Sequence, residues 1–144
     1  MQRLHNSRFP SRARNSLALL VFAVSLAGCN SAEGPPVPQG ITAVSGNNQF
    51  ALVGSPAANP LVVLVLDNNG SPFAGAPVKW KISGGGGSVS DTTSTSDATG
   101  HASILYTAGA NPGVATVVAT VAFVWTTSFT IYIEPRSNRV TRVP

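Results

Sequence analysis

The chain has 144 residues, with nine Lys and Arg against five Asp and Glu, two His and a single Cys, for a formal charge of +4. Four of the cations, Arg3, Arg8, Arg12 and Arg14, lie in the first fourteen residues beside no acid, so residues 29 to 144 balance at zero. A neutral body without a basic stripe argues against nucleic acid as a partner, and one Cys excludes an internal disulfide framework and any multi-cysteine metal site.

Residues 1–28 read as a secretory signal. The Arg-bearing stretch runs into eleven apolar-dominated residues, Leu17 to Ala27, whereas a helix crossing a hydrocarbon core needs about 20. The run ends in Leu26-Ala27-Gly28-Cys29, which resembles the bacterial lipobox. That resemblance implies cleavage before Cys29, a diacylglycerol on its thiol and a further acylation site at the new amino group. With Asn30 rather than Asp next, it also implies sorting to the outer membrane or cell surface rather than the inner membrane. One acyl chain binds a bilayer only marginally, while two or three anchor a protein stably. Residues 29–40, with Pro35, Pro36 and Pro38, then form a tether that favours extended conformations of about 3.1 Å per residue.

From residue 41 to 134 the pattern is that of strands, and no window shows a helix. Ile41 to Val44 and Gln49 to Val53 flank the turn residues Ser45-Gly46-Asn47-Asn48. Leu61 to Leu66 is continuously apolar, short, and bounded by Asn59-Pro60 and Asp67-Asn68-Asn69-Gly70, which predicts a central strand. Pro77 to Ile82 alternates Val78, Trp80 and Ile82 against Lys79 and Lys81, as a sheet packed on one side requires. Gly84 to Gly87 predicts a mobile loop or a bulged edge, and Ser90 to Ser96 a polar edge. Ala102, Ile104 and Tyr106 alternate with His101, Ser103 and Leu105 after the turn at Asp97 to Gly100. Asn111-Pro112-Gly113 is a turn, and Val114 to Val121 and Ser128 to Ile133 are the last strands. Residues 135–144, with Arg136, Arg139 and Arg142, read as a solvated, disordered tail.

About seven strands without helices predict an all-β, antiparallel sandwich of immunoglobulin (Ig) type. Several elements occur in a familiar order: Asp67-x-x-Gly70, Gly75-Ala76-Pro77-Val78, Trp80, the glycine run, Asp97-x-x-Gly100-x-Ala102, and Pro112-Gly113 before a Val/Ala/Thr strand. In this order Leu61 to Thr120 resembles the bacterial Ig-like domain of group 1, the type repeated in invasin and intimin adhesins. The resemblance implies an Ig-like sandwich in the bacterial envelope that takes part in adhesion or in binding a protein or glycan. Such adhesins usually carry several of these domains in tandem, whereas this sequence shows no internal repeat.

Groups for chemistry are few. His101, with Asp97 and nearby serines, could sketch a hydrolytic triad, but it follows a turn glycine on the expected solvent face and no Ser lies in a Gly-x-Ser-x-Gly elbow. Asp67-x-Asn69-Gly70 starts like a calcium loop and lacks its later ligands, so it reads as a turn. The glycine run lacks the Lys-Ser/Thr of a phosphate loop. No enzyme, cofactor or metal is therefore expected. Tyr106 shares the apolar face of Ala102 and Ile104 and belongs in the core. Phe123-Val124-Trp125 falls where the last turn is expected, and either extends a strand into the core or forms an exposed binding tip. Two roles stay open: an interaction module, held to the membrane by its lipid and taking a protein or glycan partner, or a passive spacer with no ligand. The oligomeric state stays open as well.

Overall fold

Ten strands account for residues 38 to 134 in the computed structural model, which describes residues 34–137. They are β1 (Pro38–Ser45), β2 (Gln49–Leu52), β3 (Leu61–Asp67), β4 (Pro77–Gly84) and β5 (Ser88–Val89), then β6 (Thr93–Thr95), β7 (His101–Ile104), β8 (Tyr106–Thr107), β9 (Gly113–Val121) and β10 (Trp125–Glu134). A three-stranded sheet, β1-β3-β7, faces a five-stranded sheet, β2-β10-β9-β4-β6, and β5 pairs with β8 in a short ladder. The signal, the lipobox with Cys29, the first part of the tether and residues 138–144 lie outside the described residues.

The core forms where the alternation placed it. Leu61, Val63 and Val65 of β3 meet Val78 and Trp80 of β4, Ala115, Val117, Ala119 and Val121 of β9, and Phe129, Ile131 and Ile133 of β10, all buried. The rings of Trp80 and Phe129 lie 5.9 Å apart, and the indole Nε1 donates to Ser94 Oγ at 2.8 Å, so the tryptophan is buried without an orphaned donor. Two buried polar side chains tie loops to this core. Gln49 donates to the carbonyls of Gly46 and Asn59 and accepts from Asn59 N–H. Ser96 Oγ donates to Phe73 O and accepts from Ala76 N–H.

Five features differ from the sequence reading or decide between its alternatives. Seven strands have four residues or more, and the count reaches ten because β5, β6 and β8 are fragments of two or three residues. The sandwich is antiparallel except that β2 pairs with β10 in parallel, Phe50 opposite Tyr132 and Leu52 opposite Glu134. The last tether residues, Pro38 to Gly40, are already strand: Pro38 stands opposite Asp67 and Gly40 opposite Leu66. The glycine run is the bulged edge and not the mobile loop: the β4–β9 register shifts between Ile82 and Gly84, and while Gly84 and Gly86 stand open, a Cβ on Gly85 would strike the backbone of Ala115, and one on Gly87 would strike Thr107 O and the Tyr106 ring. Glycine there permits close approach, which a flexibility argument does not foresee. Finally, Arg136 is held by hydrogen bonds from Nε to Val53 O and from Nη2 to Ser55 Oγ, each 3.2 Å, so the described start of the tail is fastened to the domain.

Candidate interaction surface

The β9–β10 hairpin joins Val121 to Trp125, which are paired in register, through Ala122, Phe123 and Val124. Val124 N–H donates to Val121 O at 3.3 Å. Both central residues have positive φ, 49° at Ala122 and 62° at Phe123. This is the left-handed conformation that tight hairpins demand and that Asn-Gly supplies at little cost. A Cβ-bearing aromatic residue there is strained. The side chains nonetheless point outward: Phe123 is 83% exposed, Val124 74% and Trp125 41%. Of the two sequence readings of this segment, the exposed turn is the observed one, and β10 begins only at Trp125.

The surroundings of Phe123 are partly apolar and partly cationic. Lys79, on the outer face of β4, places its Nζ 4.4 Å from the centre of the Phe123 ring, within cation–π range. Phe123 closes a groove of about 230 Å³ lined also by Pro38, Pro77, Lys79, Thr120 and Val121. A shallower depression on its other side reaches Lys81, Thr92 and Thr93.

A second exposed apolar cluster lies further along the same sheet. Phe50 and Tyr132 stack with ring centroids 5.2 Å apart and planes 29° from parallel. Leu52 and Val114 flank them, and all four are more than a third exposed. The parallel β2–β10 register brings the two rings side by side on the solvent face, because residues at alternate positions, Ala51 and Ile131, point into the core. Sequence reading did not find this pair. The alternation in β2 fixes the face of Phe50, but nothing local discloses its partner, Tyr132, on a strand far along the chain.

The acidic and imidazole groups form turns. Asp67 Oδ1 accepts from the backbone N–H groups of Asn69 and Ser71 at 2.8 Å, which is the turn expected in place of a calcium loop. Asp97 Oδ1 accepts from Thr99 Oγ1 at 2.7 Å and from the N–H groups of Thr99 and His101. These bonds, that from the Thr99 hydroxyl foremost, hold the Asp97 carboxyl below the usual carboxylate range. Thr99 Oγ1 also lies 2.9 Å from His101 Nδ1. With the Thr99 hydroxyl donating to Asp97, the three side chains tie one turn together. Tyr106 is buried as expected; its hydroxyl donates to Gly86 O at 2.7 Å, and burial pushes its pKa up. Among the described residues no cluster of three or more His, Cys, Asp or Glu could hold a metal ion. Among the same residues no helix is long and apolar enough to cross a membrane.

The family model of the bacterial Ig-like domain (group 1) matches residues 41–131. No curated protein matches the chain. Among solved structures the fold is similar to domains 4 and 5 of the S-layer protein SbsC, at 16% identity and a TM-score of 0.52, over 69% of this chain and 46% of that one. It is similar to the C-terminal 282-residue fragment of intimin in complex with the intimin-binding domain of the translocated intimin receptor, at 20% identity and a TM-score of 0.52, over 69% and 33%. A β-glycosidase from Bacteroides vulgatus also matches, at 16% identity and a TM-score of 0.52, over 67% and 14%. The chain thus spans less than half the length of these structures, and at such identities the likeness is one of fold.

Proposed function

Because the chain belongs to the bacterial Ig-like domain (group 1) family, we propose that it is a non-enzymatic interaction module of the bacterial envelope, anchored by lipid on Cys29 and presented at the outer membrane or cell surface. The lipobox Leu26-Ala27-Gly28-Cys29 supports the anchor. The observation that carries interaction over a passive spacer is the exposed aromatic pair Phe50 and Tyr132. Stacked rings on a sheet face offer a flat apolar platform to a protein or a sugar ring. The turn at Phe123, Val124 and Trp125 is a second contact element. The fold's occurrence in adhesin and S-layer proteins agrees with this reading, while its occurrence within a glycosidase shows that the fold does not fix the role.

Protease treatment of intact cells, combined with palmitate labelling of wild type and Cys29→Ala, tests the reading. A labelled domain removed by external protease supports a surface interaction module, and capture experiments with a Phe50→Ser, Tyr132→Ser control then seek its partner. Label retained in Cys29→Ala overturns lipid anchoring, and a labelled but protected domain overturns surface presentation.

A further inference from the structure

We propose that the β9–β10 turn is the membrane-facing end of the domain, seating Phe123, Val124 and Trp125 in the interfacial layer of the bilayer. The inference rests on the lipid anchor at Cys29 proposed above and names what this contact element takes.

Position is the first argument. The described chain enters the sandwich at Pro38, the first residue of β1, and Pro38 lines the same groove as Phe123. The entry point and the apolar turn therefore share one pole. Eight residues lie between Cys29 and Pro38, a path that reaches at most about 30 Å when fully extended. β10 runs ten residues away from Trp125, which carries the chain about 33 Å to the opposite pole. A lipid on Cys29 therefore tethers the domain from the pole that carries the turn, the end opposite Glu134.

Chemistry is the second. Tryptophan is favoured at the boundary between headgroups and acyl chains, where its ring is apolar and its N–H stays hydrated. Phe123 and Val124 are the two most exposed large apolar residues of the described chain, and Val37, beside the entry point, is half exposed. Lys79 and Lys81 project from β4 around Phe123, where cations complement anionic headgroups and long stems lie along apolar surface. Of the carboxylates near this pole, Asp67 and Asp97 are engaged by turn amides. The strained backbone at Ala122 and Phe123 is the third argument: an Asn-Gly turn would relieve the strain but leave no apolar wedge.

The test uses the full lipidated chain in vesicles of phosphatidylethanolamine and phosphatidylglycerol whose acyl chains carry bromine. Trp80 is 3% exposed and shielded, so Trp125 supplies the responsive part of the emission, and Trp125→Phe confirms the assignment. Mass spectrometry first establishes the lipid adduct on Cys29. With the adduct present, we expect bromolipid to quench roughly half the tryptophan emission, the share of one interfacial tryptophan of two, and iodide to leave it unquenched. If the adduct is present but Trp125 is quenched by iodide and not by bromolipid, the turn faces water, and the inference falls while the anchor stands. If no adduct is present, the anchor and the inference fall together.

Discussion

The ammonium of Lys79 lies 4.4 Å from the centre of the Phe123 ring, across the groove that joins β4 to the β9–β10 turn. The turn that carries the ring outward has left-handed φ at both Phe123, 62°, and Ala122, 49°. Contact and strain therefore come together, and substitution can separate them.

Replacing the pair by Ala122→Asn and Phe123→Gly installs the residues that a tight hairpin favours. Left-handed backbone costs residues with a Cβ about 1 to 2 kcal/mol each, and the lost cation–π contact at an exposed site is worth about 0.5 to 1 kcal/mol. The variant is expected to be more stable than wild type by about 1 kcal/mol, a rise in Tm of about 4 to 8 °C for a domain of this size. Urea and thermal unfolding measure it, and a variant no more stable than wild type shows that the turn stores no strain. Bromolipid quenching of Trp125 should fall in the same variant, a stability gain accompanied by loss of the membrane contact.

Tyr106 contributes to the alkaline end of the stability profile. Its hydroxyl is buried and donates to Gly86 O, and burial raises its pKa above the ordinary 10.0. A raised folded-state value gives stability that is complete below the ordinary pKa and declines as the pH climbs through the folded one. Tyr106→Phe removes this titration and the hydrogen bond to the exposed Gly86 carbonyl, at a cost of about 0.5 to 1.5 kcal/mol at neutral pH. Unfolding midpoints from pH 8 to 12 should fall steeply at the top of the range for wild type and more gently for the variant. Parallel curves would remove Tyr106 from the alkaline transition.

Asp97 contributes at the acid end with the opposite sign. Its pKa lies below the ordinary 3.8, chiefly through the Thr99 hydroxyl and then the His101 and Thr99 amides. The stabilisation is complete above pH 3.8 and is lost as the pH falls through the lower folded value. Asp97→Asn keeps an acceptor oxygen for the turn but cannot titrate, so its stability should vary less between pH 4 and 2 than that of wild type. An unchanged acid slope would assign that loss to other carboxylates.

How much was legible depended on how local the cause was. Leu61 to Leu66, Pro77 to Ile82 and Val114 to Val121 show their strands and faces because burial imposes a period that neighbouring residues reveal. The turn at Asp67 was readable because an aspartate bonds its own following amides. The segment at Phe123 was not fixed, since its left-handed backbone lacks the Gly or Asn that would announce it. The glycine run left two readings open for a related reason. Glycine signals either freedom or close approach, and only the later strands β8 and β9, which supply Tyr106 and Ala115, decide between them. The parallel β2–β10 pairing, with residue 50 against residue 132, left no local trace at all.

That pairing supplies the last prediction. Phe50 and Tyr132 are 61% and 38% exposed, so truncating either removes little buried apolar area, and their mutual stacking is the main term lost. Stacked aromatic pairs contribute about 0.5 to 1.5 kcal/mol beyond area burial. In a double-mutant cycle of Phe50→Ala and Tyr132→Ala, each single change should cost about 1 kcal/mol, and the coupling should fall within that stacking range. Urea unfolding supplies all four stabilities. A coupling near zero would mean that the rings are neighbours without mutual stabilisation. Partner capture separates this structural term from recognition: if the pair is a platform, Phe50→Ala alone abolishes capture while the domain stays folded, and retained capture by the folded double variant moves recognition to another surface.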